Sequence, residues 1–297
     1  MTGAERGLLL LTSHMGVAQR RPLTVAQFRA LTERMQSAGR NPEDRDLMPE
    51  DLKALGYGPE MAERIVALLS EEELLDHYLQ RARKLGCIPV TRISEDYPLV
   101  VRKRLGLDSP GCLWARGDVA LLKEPTISLV GSRELREKNW RFAAEVGRQA
   151  ALQGYVLVSG NARGADRGAQ DSCLAHGGKV ISVVADELWK QPLRENVLYL
   201  SEDGYEEAFS AQRALSRNRV IHALGLKTFV AQSSLKMGGT WDGTVKNLRF
   251  GWSPVFGYDD GSEAMDLIFQ MGATPVTMEE LNSIYDLSQN QITFIDR

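Results

Sequence analysis

Tyr155-Val-Leu-Val-Ser-Gly-Asn-Ala-Arg-Gly-Ala-Asp-Arg-Gly-Ala-Gln170 is an apolar, β-branched run that breaks into a glycine loop and then an alanine-rich segment. That order describes a strand, a tight turn and the start of a helix. The pattern recurs on either side. TISLV (126–130), KVISVVA (179–185), KTFVAQ (227–232) and SPVFGY (253–258) are further apolar runs, with amphipathic stretches between most of them. Near-continuous apolar strands separated by helices imply an α/β fold, with a parallel sheet covered by helices on both faces.

Toward the N-terminus the period changes. Val25, Phe28, Leu31 and Met35 keep a three-to-four spacing, and Ile65, Leu68 and Leu69 continue it. Residues 1–85 are therefore expected to form a small helical domain, with GRNPEDRD (39–46) as a polar loop. Residues 86–125 carry CIPV, DYPLVVRKRL and PGCLWARG and read as a connecting segment packed on the sheet; residues 126–297 are the expected α/β core.

Of the 297 residues 43% are hydrophobic and 25% charged, ordinary for a soluble globular protein. The formal charge is −3, so any binding of nucleic acid must rest on a local basic patch. Cys87, Cys112 and Cys173 are scattered, with no CxxC spacing and no matching histidine, so they read as reduced core thiols and no metal site is expected. GLLLL near the N-terminus is too short for a signal-peptide core or a membrane span. The expected setting is cytoplasmic, without a membrane partner.

In an open parallel sheet, ligands bind beyond the carboxyl ends of the strands. Four loops at that edge suit an anion. TISLV ends in Gly131-Ser132-Arg133, where a guanidinium can fork onto a phosphate. YVLVS ends at Ser159, and Gly160, Asn161, Arg163 and Gly164 follow, with glycines that let backbone N–H groups face an anion. SRNRVIHAL (216–224) places Arg217, Asn218 and Arg219 at the start of a helix, where a bound anion would reverse an unfavourable dipole interaction. QSSLKMGGTWDGT (232–244) supplies Lys236, Gly238, Gly239 and Thr240 after a strand. The plain alternatives are tight turns and solvated arginines. The dinucleotide pattern GxGxxG and the Walker lysine are both absent.

VGSR (130–133), SGNARGAD (159–166), SEDG (201–204), RNRVI (217–221) and SLKMGGT (234–240), in this order, resemble the DNA-processing protein A family, also called DprA or Smf. The likeness extends upstream, where Tyr97-Pro98 is followed by Pro110-x-x-Leu-x-x-x-Gly117, and downstream to the Gly-Ala at 272–273. It covers residues 85–276. It implies an extended Rossmann-like core of the LOG-like nucleotide-binding group, binding of single-stranded DNA, delivery of the strand to a RecA-type recombinase in transformation or recombination, and a possible homodimer. LGYGPEMAERI (55–65) is similar to the hairpin of helix-hairpin-helix modules, with Pro59 suited to a first helical position.

The chain departs from the family pattern in four places. Gln170 replaces a histidine, Gln232 a glutamate, and Ala214 a phenylalanine able to stack a base; the segment between KVISVVA and LYLSEDG is short. No separate C-terminal winged helix is evident. A hydrolase would need an acid or base at the cradle, for which Asp166 and Asp242 are candidates and His176 and His222 outsiders. Asp166 fits a helix-capping role better, and the two family positions most able to exchange protons are amides. No catalytic residue and no cofactor are therefore expected. The rival reading is a small-nucleotide sensor or nucleotide-processing enzyme using the same cradle.

Overall fold

The computed structural model describes residues 1–41 and 44–288. Pro42 and Glu43 of the expected polar loop, and residues 289–297, lie outside the described residues. Among the described residues the N-terminal region holds α1 (Gly3–Thr12), α2 (Val25–Ser37), α3 (Pro49–Ala54), α4 (Pro59–Ser70) and α5 (Glu72–Lys84). Their starts are written locally. Thr2 with Glu5 and Thr24 with Gln27 form reciprocal caps on α1 and α2, and Pro49 and Pro59 open α3 and α4.

The chain then enters one nine-stranded sheet. Its elements, in chain order, are β1 (Ile88–Thr91), α6 (Leu99–Leu105), β2 (Cys112–Arg116), β3 (Thr126–Val130), α7 (Glu137–Leu152), β4 (Val156–Ser159), α8 (Ala165–Ala175), β5 (Lys179–Val183) and β6 (Val197–Ser201). After them come α9 (Ala211–Ser216), α10 (Asn218–Leu224), β7 (Thr228–Val230), α11 (Gly238–Phe250), β8 (Val255–Tyr258), α12 (Glu263–Gln270) and β9 (Thr274–Val276). The spatial order is β1-β2-β6-β5-β4-β3-β7-β8-β9. From β6 to β9 in that order all neighbours pair in parallel; β3, β4, β5, β7 and β8 are the five apolar runs, and β6 and β9 extend the sheet beyond them.

Residues 86–125 join the sheet instead of only packing on it. β2 pairs antiparallel with β6, and β1 with β2. The physical reason is the β6 edge, whose unpaired N–H and C=O groups this segment satisfies.

Residues alternate between two cores. Leu157 faces the layer of Phe142, Val146 and Cys173, whereas Val156 and Val158 face Val220, Ile221 and Leu224. The first core continues into Leu9, Leu10, Ile65 and Leu75 of the helical region. Tyr78, Trp114 and Tyr205 form the joint, with ring centroids 4.5–5.2 Å apart, and the Tyr205 hydroxyl donates to the Tyr78 carbonyl at 2.9 Å.

From β3 the chain builds outward through β4, β5 and β6, then crosses back to place β7 on the other side of β3. The strand order therefore reverses between β3 and β7, and the crevice beyond their carboxyl ends is where such sheets take ligands.

Candidate nucleic-acid interface

A cavity of ≈ 610 Å³ opens at that reversal. Gly131, Ser132 and Arg133 come to it from β3, Arg163 from the loop after β4, Arg217 and Asn218 from the α9–α10 junction, and Gly238, Gly239 and Thr240 from the start of α11. The structure thus brings these residues together from four chain segments.

The walls are held rigidly. The Ser132 N–H and hydroxyl both donate to the Gln232 carbonyl, at 3.0 and 3.2 Å, and the Ala165 N–H donates to the Ser132 carbonyl at 3.2 Å. Gly164 has φ +87°, and a Cβ there would stand 2.5 Å from the Arg133 carbonyl oxygen. Only glycine allows the β3 and β4 loops to press this close. Gln232 accepts from the Arg136 N–H at 3.0 Å and donates to the Glu134 carbonyl at 3.1 Å, bracing the turn beyond Arg133.

Two features give the cavity affinity for an anion. Arg133 is exposed and makes no hydrogen bond or ion pair among the described residues. On the same cavity α11 begins at Gly238, and no side-chain cap meets the first N–H groups, which have no intrahelical partners.

Arg217 is different in kind. It is 7% exposed, and its Nη1 donates to the carbonyls of Gly160 and Val183. Burial lowers its pKa, opposed chiefly by Asp166 and Asp186. Its Nε has no hydrogen-bond partner among the described residues, a buried donor left over. Asp166 accepts from the Ala162 N–H at 3.2 Å. Burial raises its pKa, against the pull of Arg217, of the Ala162 and Gly160 N–H groups, and of Arg133. It is a first-turn carboxylate of α8, whose own start carries no side-chain cap, and it braces the preceding loop, a structural role as read from the sequence.

Several expected residues lie elsewhere. Arg219 turns away from the cavity: it pairs with buried Glu202 at 2.7 Å and donates to the Asp108 carbonyl at 3.0 Å. An i to i+2 step on a helix places Arg219 and Arg217 on different faces, so one anion cannot meet both. The Ser159 hydroxyl is buried and accepts from Gln170 of α8 at 2.5 Å, and the same amide donates to Ser182 of β5 at 3.3 Å, which ties α8 to both strands. The Gly160 carbonyl is occupied by Arg217, and Asn161 is engaged with Gln191 and Arg167 at 3.2 Å each. Lys236 is exposed and without a partner among the described residues, beside the cavity but not lining it.

The acid–base candidates are dispersed as well. Asp242 pairs with Lys246 at 2.8 Å on α11, and exposed His176 contacts the Ser172 carbonyl at 2.8 Å. His222 is fully buried against Asn247, and burial depresses its pKa to about 3. Among the described residues no group of three or more His, Cys, Asp or Glu side chains could hold a metal ion. The three cysteines are free and buried, and burial pushes the Cys173 thiol up to about 12.

One functional candidate escaped the sequence reading. Phe209, 56% exposed, lines the same cavity as Ala214, with exposed Leu215 and Met237 beside it. It sits just before Ser210, which caps α9 by accepting from the Arg213 N–H. An aromatic flanking a helix cap was the only signal available.

A sequence model of the family described as DNA recombination-mediator protein A matches residues 89–247. The chain is 30% identical over 141 residues to the DNA processing protein DprA of Streptococcus pneumoniae, covering 44% of this chain and 50% of that protein. To DprA of Bacillus subtilis it is 28% identical over 169 residues, covering 53% and 56%. It thus spans about half the length of the relatives it matches. Among solved structures, that of DprA from S. pneumoniae superposes with a TM-score of 0.73 at 22% identity, covering 98% of this chain and 99% of that one. A structure described as showing the single-stranded DNA binding mode of DprA from Helicobacter pylori gives a TM-score of 0.55 at 24% identity, covering 66% and 94%. At these identities both structures speak to fold.

Proposed function

The chain belongs to the DNA recombination-mediator protein A family, and from that membership we propose that it binds single-stranded DNA in the cavity between β3 and β7. The carrying observation is the pairing, in one cavity, of an exposed Arg133 with no hydrogen bond or ion pair among the described residues and the uncapped start of α11 with an apolar wall of Phe209, Leu215 and Met237. A cation and helix N–H groups meet a phosphate; an exposed aromatic meets a base. Binding of this kind is largely independent of sequence and sensitive to salt.

The cavity works as a holder, with no turnover. Gln170 and Gln232 are amides locked into structural hydrogen bonds, and Asp166 is engaged with the Ala162 N–H of the loop before α8. Among the described residues no helix is long and apolar enough to cross a membrane. A cytoplasmic setting, a RecA-type recombinase that receives the strand, and a second copy of the chain complete the proposal on the strength of the family membership. The test is competition against a labelled oligo-dT at fixed salt. Unlabelled single strand should displace it well, and blunt duplex and mononucleotides poorly. A mononucleotide that competes as well as the oligomer would assign the cavity to a small nucleotide, and an equally competitive duplex would remove the single-strand preference.

A further inference from the structure

We infer that the groove between α7 and α8 is a second nucleotide subsite, where Trp140 stacks a base of a strand that leaves the Arg133 cavity past Arg163. The inference rests on the single-stranded DNA reading of that cavity. The groove encloses ≈ 470 Å³ and is floored by Ala144, Gly164 and Gly168. Small residues leave it open: a Cβ on Gly168 would stand 3.1 Å from the indole Nε1 of Trp140. The indole is 51% exposed, and its N–H has no partner among the described residues.

Arg163 connects the two sites, because it lines both the groove and the Arg133 cavity. Its ion pair with Glu134 spans 3.1 Å between side chains 74% and 88% exposed, so solvent and salt screen it and a phosphate can replace it. Arg167 follows one turn later at the same rim, its guanidinium held among the described residues by one 3.2 Å bond to Asn161. Asp171 lies farther along α8, so the positive end of the groove is the end facing the cavity. A basic rim beside an exposed aromatic is the combination that tracks a single strand.

A length series of oligo-dT, from the dinucleotide upward, followed by anisotropy and by tryptophan emission, tests this on the full chain. Trp140→Ala should bind the dinucleotide like the wild type and bind long oligomers about five- to a hundredfold more weakly, the effect of losing one stacked base. Trp140→Phe should recover most of the affinity while removing the quenching that long oligomers cause, and Arg167→Ala should weaken only the long ones. Unchanged affinity of Trp140→Ala at every length, with normal wild-type binding, overturns the subsite and leaves the cavity reading standing. A wild type that binds no oligomer overturns the cavity reading and this one with it. A wild-type dimer that Trp140→Ala dissociates gives the groove to a second copy and overturns the subsite.

Discussion

The Arg217 guanidinium donates to the carbonyl of Gly160, so the arginine that resembles a phosphate ligand in the sequence is part of the wall. A Cβ on residue 160 would stand 2.3 Å from its Nη1, so the glycine is fitted to the guanidinium. The guanidinium is thereby held in a fixed frame, and its buried Nε has no protein partner among the described residues. Arg133 is its exposed counterpart.

That contrast sets the first expected outcome. Arg217→Met should lower unfolding stability by roughly 3–5 kcal/mol, the usual cost of breaking a buried, hydrogen-bonded charge. Arg133→Ala should change it by no more than about 0.5 kcal/mol, as for other exposed side chains. Urea unfolding of both variants checks this. Equal stabilities would mean that Arg217 is not structural.

The five parallel runs, and the glycine-bearing loops at their carboxyl ends, were legible because each strand is a short apolar run broken by glycine or small residues. β1 and β2 were not. CIPV and CLWAR lie in a segment whose pairing depends on the distant edge of β6, which no local period reports. Which arginine was free was also hidden. Arg217 and Arg219 are two residues apart, and only tertiary partners, the Gly160 carbonyl for one and Glu202 for the other, separate their roles.

Phe209 should matter although the family position at 214 is alanine. Phe209→Ala is expected to weaken oligo-dT binding by about 1–3 kcal/mol, the worth of one stacked base. Ala214→Phe, on the same wall, should strengthen it. Titrations of both variants decide; a neutral Phe209→Ala would leave the apolar wall without a role in binding.

His222 sets an acid limb on stability. Its ordinary pKa of 6.5 is depressed to about 3 by burial, so in that window the unfolded chain takes up a proton that the folded chain refuses. The stability that His222 contributes is complete above pH 6.5 and is lost as pH falls toward 3, at up to about 1.4 kcal/mol per pH unit. His222→Gln should flatten this slope between pH 7 and 5 in urea unfolding (about one to two units of the window). An unchanged slope would contradict it.

Charge at one patch is the core of the account, and a titration of oligo-dT across a salt series measures it. The wild type should show a log–log slope of about −0.7 for each phosphate neutralised. Arg133→Glu should remove most of the affinity and flatten the slope, whereas Arg29→Glu, on exposed α2 beside Glu33, should do neither. Equal losses for Arg133→Glu and Arg29→Glu, or full affinity in Arg133→Glu, would contradict a phosphate site between β3 and β7.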